Sequence, residues 1–302
     1  MKQFVAAAAI CACVPMMAHA QVLPGLGADR VTGSAGIETV APYEANGLPA
    51  NPANIGASSR WSLSLGTATN SVTEEVERTV AASIRRRGAG LAVRVTSKAI
   101  ENLFDDPALR DDPDLRVGSE EYALGASVRV REWLRVGLTG VLVHSQVLGS
   151  SGSGAGLRAG VGIWRNWITA GATYGDVDVD MTWRAADGSR ERWSGTKRVA
   201  VGVATPQFQL GGFQPTAALE WSSDVGPNRG RWLRATASLG FLNGAVRLVA
   251  GAAACPSQPT ANYQEIGVVA AVNWLQFQLG VRFGADPVPG NALALGLALR
   301  GT

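Results

Sequence analysis

The sequence predicts an all-β chain: a closed antiparallel transmembrane barrel of about fourteen strands, with an N-terminal segment folded into its lumen as a plug. Three observations carry this. Residues 122–147 form two arms of about ten residues that alternate apolar and polar side chains around Glu132-Trp133. Strand side chains point alternately to two faces, and a tilted strand of that length crosses a bilayer. Similar candidates recur along the chain, joined by links that alternate between short and long. Finally, charged residues are only 17% and glycines number 37 of 302. Low charge with many small residues suits strands that keep one face small.

The opening residues read as a removable leader. In 1–20, Lys2 is the charged start, 4–14 the apolar core, and Ala18-His19-Ala20 a small-x-small cleavage site. The apolar run is too short for a membrane helix. Cys13 is a poor lipidation site because Cys11 precedes it. After cleavage only Cys255 remains, which excludes an internal disulfide framework and a zinc site. A net charge of +3, dispersed singly along strands, argues against nucleic acid as a partner.

Residues 21–60 follow, rich in Gly, Pro, Ala and Asn and without a clear period. Forty such residues are too many for a tail, and inside a barrel they form a plug. The barrel itself is then 61–302. Its strand candidates are 61–69, 76–86, 90–98, 122–131, 134–146, 154–164 and 167–178, then 192–205, 212–222, 231–242, 245–254, 263–273, 275–284 and 291–300.

The links sort by parity. Those after even strands are short: 87–89, 132–133, 165–166, 206–211, 243–244 and a break at Trp274. Those after odd strands are mostly longer and more polar: 99–121, 147–153, 179–191, 223–230, 255–262 and 285–290. Short turns at one end and long loops at the other mark an outer-membrane barrel, and an even strand count puts both termini on the short-turn, periplasmic side. Trp61, Trp133, Trp164, Trp167 and Trp274 lie at the short-turn end, and Trp193, Trp221 and Trp232 near the other. That is the two-ended placement headgroup zones favour. In the last candidate Leu293, Leu295, Leu297 and Leu299 face one way and Ala294, Gly296 and Ala298 the other, which suits lipid outside and a crowded lumen inside.

Three short motifs carry a resemblance. They are Asn51-Pro52-Ala53 before the first strand, the hairpin from Tyr122-Ala123-Leu124-Gly125 through Leu134-Arg135-Val136-Gly137-Leu138, and LGFLNGAVRLVAG at 239–251. Together they resemble the FadL/PorV-like outer-membrane barrels, closer to PorV-like members in layout. The resemblance implies a fourteen-stranded barrel with its N-terminal segment in the lumen. It also implies one of two functions: passage of small hydrophobic or amphipathic compounds, as in FadL-like members, or docking of partner proteins in an envelope machine, as in PorV-like members. Two departures are that the chain ends Leu299-Arg300-Gly301-Thr302, without a terminal aromatic, and that its loops are short for an elaborate capture site.

Candidate chemistry is sparse. His144 and Ser145 are adjacent on a strand and so point to opposite faces, which rules out a direct base–nucleophile contact. Asp176, Asp178 and Asp180 share a face and offer oxygen ligands for calcium, but Met181 stands where a calcium loop needs glycine, so a solvated rim is expected. Asp105, Asp106, Asp111, Asp112 and Asp114 read as an exposed acidic loop. Gly154-Ala155-Gly156-Leu157-Arg158-Ala159 loosely matches a dinucleotide pattern, but it begins a strand where that chemistry needs a strand–turn–helix. No enzyme, cofactor or metal is expected.

The lumen face is more informative. Alternation turns Arg94, Arg129, Arg131, Arg135, Arg234 and Arg282 inward, together with Glu220 and Glu265. An arginine facing lipid at mid-membrane costs about 2–4 kcal/mol, which forces the inward assignment near the middle. These groups are expected to pair with one another and with plug backbone, or to line a route with a cationic surface. Asn51 is expected where the plug leaves the lumen, and polar contacts to Arg94, Arg129 and Glu265 are expected to hold it. Expected partners are outer-membrane lipid, hydrophobic small molecules and other envelope proteins.

Overall fold

Strict alternation of side chains builds the wall. In the computed structural model, residues 39–40, 51–57, 59–70, 75–100, 117–185, 187–206, 208–225, 230–257, 259–284 and 291–301 are described. The expected leader at 1–20, most of the expected plug at 21–50 and the expected acidic loop at 105–114 lie outside these residues.

The strands are β1 (Trp61–Asn70), β2 (Glu75–Arg86), β3 (Ala89–Ile100), β4 (Val117–Arg131), β5 (Leu134–Val147), β6 (Ser150–Arg165), β7 (Ile168–Asp178) and β8 (Asp180–Arg184). They continue with β9 (Arg190–Trp193), β10 (Thr196–Ala204), β11 (Gln214–Val225), β12 (Arg231–Phe241), β13 (Val246–Ala254), β14 (Tyr263–Val272), β15 (Leu275–Gly284) and β16 (Ala292–Gly301). Fourteen of them close a ring. Each pairs antiparallel with its neighbours, β1 pairs with both β2 and β16, and β10 pairs with β7. Closure leaves no edge strand whose backbone groups would go unsatisfied in hydrocarbon. The remaining two, β8 and β9, prolong β7 and β10 beyond the ring as a hairpin on the outer part of β6.

The polarity is inside out relative to a soluble domain. Leu63, Leu65, Leu91, Leu124 (63% exposed), Leu157 (60%) and Leu295 face outward, while Ser62, Ser64, Thr79, Thr96, Glu77 and Arg94 are buried. A continuous apolar exterior over a polar interior is what lipid outside and a narrow lumen inside require. In the hairpin of β4 and β5, Leu124, Val128 and Val130 are exposed and Ala123 and Ser127 buried, as alternation predicts. In β16, Ala294 and Ala298 fill the lumen side and Leu293 and Leu295 the outside.

Turn chemistry sets the short end. Arg87-Gly88 joins β2 to β3 with both φ positive, 49° and 90°, the backbone that matches strand twist in a two-residue hairpin. At the opposite end Leu148-Gly149 makes the same kind of turn between β5 and β6, with φ 46° and 78°. The expected loop at 147–153 is therefore a tight turn, and 150–153 belong to β6. The expected loop at 179–191 is likewise mostly strand, because β8 and β9 continue the ladder.

The tryptophan belt is thinner than expected. Trp61, Trp167 and Trp274 are exposed at the short-turn end and Trp221 at the other. Trp164 instead turns inward over Gly162, and Trp232 shares the lumen side with Arg234, whose guanidinium lies 5.1 Å from its ring. Trp193 packs on Trp183, their ring centroids 5.1 Å apart.

Candidate functional site: the lumen and its N-terminal insert

Asn51-Pro52-Ala53 lies inside the barrel, fully buried. Pro52 holds Asn51 in extended backbone, φ −90° and ψ 110°, and starts the 3-10 turn Pro52–Asn54. The Asn51 side chain works in both directions. Its Oδ1 accepts from the Ala53 N–H at 3.0 Å, while its Nδ2 donates to the Thr39 carbonyl at 2.9 Å and the Val161 carbonyl at 3.0 Å. The same amide thus caps the turn, ties the insert to itself and ties it to the wall.

The wall beneath is bare of side chains. Gly137 pairs with Gly160, and Gly171 with Gly202, across β5, β6, β7 and β10. A Cβ at Gly160 would stand 2.0 Å from Asn51 Oδ1, and one at Gly137 2.3 Å from the Pro52 carbonyl carbon. At Gly171 and Gly202 it would meet Thr39 at 2.3 and 2.1 Å. This glycine floor lets insert and wall touch backbone to backbone.

Next to the floor stands Glu220, 1% exposed and paired in register with Gly202. Its Oε2 accepts from the Thr39 N–H at 2.7 Å and the Thr39 hydroxyl at 2.9 Å, and its Oε1 from Arg234 Nη1 at 3.0 Å. Arg234 also donates to the Ser222 hydroxyl at 2.7 Å. A buried carboxylate is tolerable when hydrogen bonds and a cation meet it, and these do. On the opposite wall the Ser127 hydroxyl donates to the Ile55 carbonyl at 2.9 Å, and Arg85 Nη1 to the Gly56 carbonyl at 2.9 Å.

The described part of the insert is held by polar contacts. The described contacts run to Glu220, Ser127, Arg85 and the wall carbonyl of Val161. Arg94 pairs with Glu121, and Arg282 with Glu265 at 2.7 Å. Arg129 shares the face of buried Ser127 but lies exposed at the short-turn mouth. Arg131 lies past a bulge on the rim, exposed, and not in the lumen as alternation predicted. Arg135 sits directly across from Arg129, with its guanidinium 5.5 Å from the Trp164 ring. Arg85, Arg129 and Arg135 are close enough to repel one another, so this mouth is strongly cationic.

A second feature crosses the polar interior. Ile55 of the insert begins an apolar seam that runs through Ala92, Ala123 and Val141 to Val179, Met181 and Trp183. Val143, Val147 and Trp193 pack against it. The seam runs past a break in the ladder. β6 leaves β7 at Arg158↔Gly175 and resumes with β8 at Ala155↔Asp180, so 156–157 face 176–179. Val179, Met181 and Trp183 lie inward over Gly152, Gly154 and Gly156, where a Cβ would come within 2.7 Å of Trp183 or Val179 and 3.1 Å of Met181. The glycines of the loose dinucleotide pattern thus make room for these side chains.

The aspartates fasten the break. Asp176 Oδ2 accepts from the Leu157 N–H at 2.7 Å, and Asp180 Oδ1 from the Gly195 N–H at 2.7 Å. Among the described residues no cluster of acidic, histidine or cysteine side chains could hold a metal ion. His144 is exposed, while the Ser145 hydroxyl on the other face donates to Ser119 at 3.0 Å.

No protein-family model matches the chain, and no curated protein does. Solved structures do. The Pseudomonas putida toluene transporter TodX superposes with a TM-score of 0.58 at 12% identity, over 90% of this chain and 99% of that one. The monoaromatic hydrocarbon channel CymD gives 0.55 at 13% identity, over 90% and 97%. A deletion mutant of TodX gives 0.54 at 10% identity, over 90% and 98%. TodX and CymD are FadL-like barrels, and neither supports the PorV-like layout. The likeness is one of fold: this chain is a closed fourteen-stranded barrel of the outer-membrane type.

Proposed function

We propose that the chain is an outer-membrane channel that binds and passes small hydrophobic or amphipathic molecules, with both termini in the periplasm and the N-terminal segment as its plug. The observation that carries this reading is the apolar seam. It joins the loop end, at Trp183 and Trp193, to Ile55 of the insert through a lumen lined elsewhere by ion pairs, hydroxyls and small side chains. An apolar solute gains free energy along such a lane and loses it elsewhere in the lumen. The hydrocarbon channels of the same fold are in keeping with it. The exposed apolar exterior needs lipid, and closed barrels of this kind serve the outer membrane.

The test is uptake of radiolabelled ethylbenzene by cells whose outer leaflet is lipopolysaccharide. The barrel should raise the initial rate several-fold. Met181→Arg, which puts a guanidinium into the seam, should return it to the background of cells lacking the barrel. Equal rates with and without the barrel would sink the reading.

A further inference from the structure

The seam is not wholly apolar. Trp183 is 7% exposed and Thr139 3%, and neither Trp183 Nε1 nor Thr139 Oγ1 finds a hydrogen-bond partner among the described residues. Trp183 belongs to the seam, and Thr139 borders it. Trp183 stands at its outer end, over Gly152 and beside Met181. Thr139 lies on the inner face of β5 between Val141, a seam residue, and Gly137, which touches Pro52. A buried donor left without an acceptor is costly, and native interiors almost always supply one. Here one comes at the outer end of the seam and another beside it on β5.

We propose that the seam is built for a neutral molecule that is apolar over most of its surface and carries one hydrogen-bond acceptor, such as a carbonyl or ether oxygen. Trp183 Nε1 donates to that acceptor at the loop end, and Thr139 is the next polar station on the way to the insert. The donor is uncharged and set among Val179, Met181 and Trp193, so it selects a neutral acceptor over a carboxylate, whose desolvation it cannot repay. The aromatic pair Trp183 and Trp193 and the thioether of Met181 offer flat, polarizable surface to an aromatic ring. The inference rests on the seam being a binding route and adds to that reading the class of solute: acceptor-bearing aromatics over plain hydrocarbons.

The experiment titrates the detergent-solubilised full chain with acetophenone and with ethylbenzene, matched in size and differing in the carbonyl, with empty micelles as the blank. Wild type should bind acetophenone about tenfold tighter, and Trp183→Phe should bring the two within about twofold. In the 15N–1H spectrum of the wild type, the Trp183 indole resonance should shift with acetophenone and not with ethylbenzene, the other indoles serving as internal controls. This readout keeps the test decisive even where Trp183→Phe fails to fold. Equal affinities, or an unmoved Trp183 indole, overturn the inference and leave the seam as a binding route. Heats no greater than those of empty micelles for both compounds overturn the seam itself.

Discussion

Glu220 is the residue on which the insert turns. It receives two hydrogen bonds from Thr39 and one from Arg234, all buried. In Glu220→Gln one oxygen becomes an NH2 that cannot accept, and the charge opposite Arg234 is lost. Hydrogen bonds to a charged group contribute about 1.5–3 kcal/mol, so the insert should open about tenfold or more often. Val40→Cys in a Cys255→Ser background reports this, because Val40 is buried beside Thr39. Thiol labelling should be at least about tenfold faster with Glu220→Gln; an unchanged rate would mean that Glu220 does not hold the insert. Gly160 makes the complementary case. Gly160→Val puts a branched side chain where Asn51 Oδ1 lies 2.0 Å from the Cβ position, and should raise labelling as well. Gly212→Ala meets nothing within 4 Å and should change nothing.

At the scale of elements, the break between β7 and β8 hands the ladder of β6 from one strand to the next. Asp176 and Asp180 hold its two sides by accepting the Leu157 and Gly195 amides. Replacing both by Ala should free those amides. Hydrogen exchange at 155–160 and 190–197 should rise about tenfold or more, since each lost bond to a carboxylate is worth about 1.5–3 kcal/mol. Unaltered protection would mean the ladder alone holds the break. The same break marks the limit of what the sequence discloses. Period-two alternation turned Arg234, Arg282, Glu220 and Glu265 inward, and they are buried there. Past Asp178 the odd positions stay inward, at Val179, Met181 and Trp183, but 179–191 read as loop and their alternation was not followed. Alternation also assigns a face but not a height on the wall. That is why Glu220, which the pairing places beside Gly202, was only one inward acid among two. The glycine floor was hidden for the same reason, because its four members come from four strands and meet only once the register is set.

For the whole molecule, loop parity and alternation made the barrel legible, and Asn51-Pro52-Ala53 marked where the insert meets the wall. The long-range account is a barrel closed from within by its own N-terminal segment, with a cationic mouth at the short-turn end formed by Arg85, Arg129 and Arg135. Single-channel recording in planar bilayers tests it most directly, comparing the full chain with a chain lacking residues 24–57. The full chain should stay closed to ions. The shortened chain should conduct steadily and prefer anions, because the uncovered mouth concentrates them. Equal conductance in the two chains, or a shortened chain as closed as the full one, would contradict the account.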